Sequence, residues 1–169
     1  NSAETLDTQL NVLAEFDPKI PLDQRDTPFV FLANTAPSIQ LRVLDQTEAG
    51  DAPRGESPRG EAPPGEPGAP SRPGGRRFVM ADTMNHWIEN ARPVLDALLK
   101  RIDMLVVNDE ESELLTGDRN VVKAAAKILD TGPKSVLIKR GEYGVIEFSS
   151  DTVFAVPAYP LEDVCDPTG

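Results

Sequence analysis

The sequence is nearly empty of the residues that build disulfides, metal clusters and acid–base triads. Its single cysteine, Cys165, permits no intramolecular disulfide and fits a reducing cytoplasm. Its single histidine, His86, leaves no Ser-His-Asp set and, with one cysteine, no His/Cys metal site. His86 reads as a helix-start residue, Cys165 as a packed neighbour of a turn and Trp87 as core. Basic charge is also short: 17 Lys and Arg stand against 28 Asp and Glu, a net charge of −11. Nucleic acid and anionic membrane surfaces want a basic face, so neither is expected as a partner. A nucleotide needs only local positive potential and stays open. No stretch approaches the ~18 consecutive apolar residues of a membrane span. The first residues carry neither Met nor the charged-then-apolar pattern of a signal peptide. No Gly-x-Gly-x-x-Gly follows a strand, which disfavours a dinucleotide-dependent oxidoreductase.

What remains is enough for a core. The chain has 169 residues, 39% of them hydrophobic, which suits one domain or part of a larger one. Residues 9–16 alternate, with Leu10, Val12, Ala14 and Phe16 on one face, and predict a half-buried strand. Asp17-Pro18 and Ile20-Pro21 end it. Phe29-Val30-Phe31-Leu32 is a continuous apolar run, expected to form a strand covered on both faces. A short helix follows over Ile39, Leu41, Val43 and Leu44. Further on come a strand at 78–81, a helical turn at Trp87 and Ile88, and a helix with Pro93 in its first turn. Leu95, Leu98, Leu99 and Ile102 line that helix. Next are a strand at 104–107, a helix opened by Asn108 with Leu114 and Leu115 as its apolar contacts, and a stop at Gly117. A helix capped by Asp118 should then bury Val122, Ala125, Ala126 and Leu129. A strand at 135–139 precedes a hairpin of 145–148 and 152–156. Strand and helix alternate from 29 to 139, so the expected architecture is α/β, with helices on the faces of a mostly parallel sheet. Ligands of such sheets bind beyond the carboxyl ends of the strands. The polar clusters at 82–85, 108–111, 140–144 and 166–169 fall at those ends.

Residues 47–77 are a different material. Pro53-Arg54-Gly55-Glu56, Pro58-Arg59-Gly60-Glu61 and Pro63-Pro64-Gly65-Glu66 repeat every five residues, with balanced charge and almost nothing apolar. Such a stretch cannot offset its ordering entropy by burial and is expected to be a disordered insertion. The chain therefore divides into 1–46, the insertion 47–77, and 78–169. A polyproline ligand for an adaptor domain is the functional alternative for the insertion.

Three clusters could carry chemistry. Asn108-Asp109-Glu110-Glu111 follows a strand; Asn at the N-cap with Glu three residues on is a capping box that needs no ligand. The same pair could hold a magnesium-bound water or a phosphate oxygen. Lys139-Arg140-Gly141-Glu142-Tyr143-Gly144 has two glycines that would let backbone approach a ligand closely, or simply make a turn. Asp166-Pro167-Thr168-Gly169 could turn backbone N–H groups toward an anion, or be a polar terminal turn.

In this order and spacing the clusters resemble the PfkB, or ribokinase-like, carbohydrate kinases. In that family Asn-x-x-Glu organises magnesium and phosphates, a position matched by Asn108 and Glu111. Its Thr-x-Gly-x-x-Gly nucleotide loop is similar to 139–144, with Gly141 and Gly144 matching and Lys139 in place of Thr. Its second signature opens with Asp-x-Thr-Gly, matched by Asp166, Thr168 and Gly169, and continues into Ala-Gly-Asp, whose Asp is the catalytic base. Leu10-Asn11-Val12 and Asp82-Thr83-Met84-Asn85-His86-Trp87 also resemble a bacterial sugar-kinase subgroup. The resemblance implies a three-layer αβα ribokinase-like (Rossmann-like) fold with a C-terminal hairpin, and transfer of the γ-phosphoryl of ATP to a hydroxyl of a sugar or nucleoside, with Mg2+. Lys139, Gly141 and Gly144 would meet the nucleotide, Asn108 and Glu111 metal and phosphate. Gly169 would begin the anion hole, and Asp166 and Thr168 would bind the monovalent cation (K+) that some members hold. By the same resemblance the chain is a fragment without the N-terminal substrate region and the catalytic Asp, and is expected to be inactive alone. Lid strands often make a homodimer in this family. The rival class is a non-catalytic scaffold on a kinase fold, using the insertion to capture partners.

Overall fold

The computed structural model describes residues 16–48, 77–160 and 162. Its six-stranded sheet runs in chain order: β1 (Phe29–Leu32), β2 (Phe78–Asp82), β3 (Met104–Asn108), β4 (Ser135–Lys139), β5 (Val145–Ser149) and β6 (Val153–Val156). β1 to β4 are parallel, and β5 and β6 add an antiparallel hairpin. Between them lie α1 (Pro37–Glu48), α2 (Asn85–Asn90), α3 (Arg92–Leu99), α4 (Asp109–Thr116) and α5 (Val121–Leu129). The alternation in the sequence thus becomes the expected α/β sheet with its terminal hairpin.

Register sorts the strand residues onto two faces. Leu32, Val79, Ala81, Leu105, Val107, Val136, Ile138 and Phe148 share one face and form a single buried core with Leu44, Ile88, Leu95, Leu98, Leu115 and Ile128 of the five helices. Parallel strands joined in sequential order by right-handed crossovers place their connections on one side, as here. The described residues therefore form the sheet and one helical layer. The opposite face carries Phe29, Phe31, Met80, Met104, Val106 and Leu137, none of them fully buried. This corrects the expectation for β1: Val30 and Leu32 turn inward, while Phe31 is 59% exposed. The apolar run was right for a strand, but burial on both faces needs a cover that the described residues do not supply.

Two local expectations shift. Asn120, not Asp118, caps α5: its side chain accepts from the N–H groups of Val122 and Lys123, and Asp118 instead accepts from Asn120 N–H. The buried face of α5 is accordingly Ala124, Ala125 and Ile128, and Val122 is exposed. Of the two leucines of α4 only Leu115 is buried; Leu114 faces outward. Gly117 ends α4 as expected, in the left-handed conformation with φ 71°. The predicted strand at 9–16 lies outside the described residues except for Phe16, which is exposed.

Both ends of the Pro/Gly-rich stretch, Thr47 and Arg77, are described; its body, 49–76, lies outside the described residues. Thr47 belongs to the last turn of α1 and is buried. Arg77 is buried too, donating from Nε to Thr27 O (2.9 Å), from Nη1 to Thr47 O (2.8 Å) and from Nη2 to Arg25 O (2.7 Å). One guanidinium thus gathers α1, the approach to β1 and the start of β2. The sequence counted Arg77 among the loop's charges, and a planar five-donor group is what three converging carbonyls require. Arg77→Met should cost about 2 kcal/mol, because it leaves buried carbonyls without donors. Urea unfolding of the variant would check this.

At the N-terminal ends of the strands Asp103 plays a similar part. Its carboxylate accepts from Val79 N–H (2.9 Å) and Lys134 Nζ (2.7 Å), and its carbonyl from the N–H groups of Lys134 and Ser135. β2, β3 and β4 are tied there, leaving their carboxyl ends to present side chains.

Candidate active site

β3 and β4 pair Asn108 with Lys139, so both side chains stand on the same face at the carboxyl ends of adjacent strands. Beyond β4 the chain makes a tight turn at Gly141–Tyr143 and enters β5 through Gly144. The turn is closed by Tyr143 N–H to Arg140 O (3.0 Å), Gly144 N–H to Gly141 O (3.1 Å) and Arg140 N–H to Gly144 O (2.8 Å). Gly144 has φ 89° and ψ −139°, a region closed to side chains. A Cβ there would lie 2.0 Å from Val156 O. The segment leaving β6 therefore packs directly onto Gly144. Asn108, Lys139, Gly141, Gly144, Val145, Val156, Pro157 and Ala158 enclose a cleft of about 470 Å³. One wall is apolar, and the other carries an amide and an ammonium.

Asn108 and Glu111 form the expected capping box. Asn108 Oδ1 accepts from Glu111 N–H (2.7 Å), and Glu111 Oε2 accepts from Asn108 N–H (2.8 Å). Glu111 is 6% exposed. Its burial pushes the carboxyl above the ordinary glutamate range; the Asn108 N–H and the Lys139 ammonium oppose this, while Asp82 and Glu110 add to it. The second carboxylate oxygen takes no hydrogen bond from the described residues. A buried, proton-seeking carboxylate with one free oxygen at a helix start fits a magnesium ion bound directly or through water, since that ion uses one or two carboxylates and completes its shell with water and phosphate. Among the described residues no three metal-ligating side chains converge, so such an ion would depend on the nucleotide for the rest.

Asp82 ends β2 on the same face, with Oδ1 4.0 Å from Lys139 Nζ. The sequence placed Asp82 in a polar strand-end cluster without singling it out. Gln40 of α1, which gave no sequence signal, fixes this corner: its buried amide donates to Leu32 O, Ala33 O and Asp82 O. Arg140 lies over the Tyr143 ring, 5.6 Å from its centroid. His86 is the second residue of α2, its ring edge-on to Trp87, whose indole N–H donates to Asn34 Oδ1. Trp87 is buried as expected. The structure thus brings together Asn108, Glu111, Lys139, Gly141 and Gly144. Cys165, Asp166, Thr168 and Gly169 lie outside the described residues. None of the helices among the described residues is long and apolar enough to cross a membrane.

The same overall fold is found in solved kinases of the ribokinase type, which defines the fold class. A ribokinase from Arabidopsis thaliana complexed with ribose and ATP superposes with a TM-score of 0.60 at 22% identity, over 86% of this chain and 39% of the other. A putative Ribokinase II from E. coli in complex with ATP and Mg2+ gives 0.56 at 18% identity, over 83% and 41%. A nucleoside kinase from Burkholderia thailandensis, in complex with inosine, gives 0.56 at 16%, over 85% and 39%. The sequence profile described as "pfkB family carbohydrate kinase" matches residues 74–169, more than half of the chain, and the chain belongs to that family. A cytidine kinase from Thermococcus kodakarensis is 34% identical over 80 residues, which are 46% of this chain and 28% of the relative. The chain thus spans under a third of that curated relative and about two-fifths of the solved structures.

Proposed function

We propose that the protein containing this chain transfers the γ-phosphoryl group of ATP to a hydroxyl of a sugar or nucleoside, and that the described residues form its nucleotide side. The observation that carries the reading is the cleft itself: an amide, an ammonium and a glycine-bounded turn at the carboxyl ends of β3 and β4, beside a buried carboxylate. Phosphoryl transfer asks for little covalent work from the protein and much positioning and charge compensation. Asn108 and Lys139 would contact phosphate oxygens, and the backbone at Gly141 and Gly144 would border the nucleoside. Glu111 would hold magnesium, which neutralises phosphate charge when bound. Gly169 would open the anion hole, with Asp166 and Thr168 beside it as ligands for a monovalent cation. Family membership and the cytidine kinase relative support an alcohol-group phosphotransferase, with nucleosides and pentoses as the acceptors to test first.

The test is an ATP-consumption screen of the protein over sugars and nucleosides, paired with calorimetric binding of MgATP. Saturable MgATP binding with turnover on one acceptor class supports the reading, and absence of nucleotide binding sinks it. The insertion provides a second check. Arg77 already joins the two ends of the stretch through Thr47 O, and loop closure depends weakly on length. Deleting residues 51–74 should leave MgATP affinity unchanged by calorimetry. A scaffold built around the insertion would instead lose its partner.

A further inference from the structure

The cleft's cation does not point straight out of β4. Lys139 and Asp82 belong to strands separated by β3, so their backbones are roughly 10 Å apart. Nζ to Oδ1 is nevertheless 4.0 Å, so the lysine side chain lies across the end of β3. That is where Asn108 sits, in register with Lys139 on the neighbouring strand. Asp82 is itself held from two directions. Gln40 Nε2 donates to its carbonyl (2.9 Å), and Thr83 N–H donates to its Oδ1 (2.9 Å). Lys139 is the charged residue among those lining the cleft.

We propose that Asp82 is a positioning residue: its fixed carboxylate draws the Lys139 ammonium across the end of β3, where the ammonium meets the phosphates of a bound nucleotide. The proposal rests on the cleft being a nucleotide site. A loose, half-exposed ion pair aims Lys139 without sequestering it, because such pairs are individually weak and a phosphate oxygen is a strong competing acceptor. Asp82 touches neither nucleotide nor acceptor in this arrangement and acts through the lysine.

Calorimetric titration of the protein with MgATP and, separately, with adenosine tests this in wild type, Lys139→Met, Asp82→Asn and the double variant. Asparagine keeps the acceptor for Thr83 N–H, and Asp82→Ser is the second variant should Asp82→Asn melt early. Lys139→Met should weaken MgATP roughly tenfold or more, the scale of one lost charge-assisted contact, and leave adenosine unchanged. Asp82→Asn should weaken MgATP roughly threefold or more, again sparing adenosine, and the double variant should match Lys139→Met alone, as coupled neighbours do. Unchanged or tighter MgATP binding in Asp82→Asn overturns the proposal, since Asp82 would then be a bystander or a competitor. Equal losses for MgATP and adenosine overturn it as well, because they mark a general defect of the cleft. If wild type binds neither ligand, the nucleotide reading fails first and takes the proposal with it.

Discussion

Gly144→Ala is expected to unseat the end of the hairpin and abolish measurable nucleotide binding. The new Cβ would stand 2.0 Å from Val156 O, 2.6 Å from Ala158 N and 2.7 Å from a Pro157 backbone carbon. These are backbone atoms, which cannot rotate away as a side-chain tip does. The backbone at Gly144 also occupies a conformation that an alanine adopts only under strain. Strain and overpacking together should cost about 4 kcal/mol. Val156, Pro157 and Ala158 form the apolar wall of the cleft, so any shift that relieves the clash deforms the site. Gly141→Ala is the matched control. Gly141 also has positive φ, 54°, but nothing lies within 4 Å of a Cβ there. It should cost only about 1 kcal/mol, the left-handed penalty alone, and leave the end of the hairpin seated. Thermal melts and MgATP calorimetry on both variants separate the two. Equal behaviour of the pair would mean that the wall is not held by its contact with Gly144.

The sheet was legible because its period is short-range information. Apolar runs bounded by Gly, Pro and Asn gave β1 to β6, and Asn108 with Glu111 announced a helix start that the structure builds as a reciprocal cap. The errors share a cause. Val122 fits a helical stripe as well as Ala124 does, and only the position of the neighbouring helix and sheet decides which face is covered. Phe29 and Phe31 read as core because they are large and apolar, yet a strand's burial depends on layers outside it. Arg77 and Gln40 were invisible for the converse reason. Each matters through carbonyls brought to it from distant segments, and a carbonyl has no residue type to read. In the site, the glycines and the Asn-x-x-Glu spacing were legible. The reach of Lys139 toward Asp82 was not, because it depends on strand order and on a side chain lying across the neighbouring strand.

Glu111→Gln is expected to separate the two roles that this residue's position allows. A glutamine at the third helical position can still accept from Asn108 N–H, so the capping box survives and α4 keeps its start. What disappears is the charge. Where Glu111 only caps, nucleotide affinity should not respond to the substitution. Where it also holds magnesium, Mg2+-dependent affinity should fall roughly 10–100-fold, the usual effect of disturbing the groups that support a metal. Stability should move the other way. Burial raises the Glu111 carboxyl above its unfolded value, so the folded state without metal binds a proton more readily than the unfolded chain. Ionised Glu111 therefore costs stability at neutral pH, and that cost is relieved as pH falls through the raised folded value. Without metal, Glu111→Gln should be at least as stable as wild type near neutrality, and the difference should shrink on acidification. Adding Mg2+ and ATP should then stabilise wild type and leave Glu111→Gln nearly unmoved, since only the ionised form repays its burial by binding the ion. Melting curves from acid to neutral pH, with and without MgATP, measure both effects. A glutamine variant that is less stable at neutral pH and binds MgATP like wild type would reduce Glu111 to a helix cap.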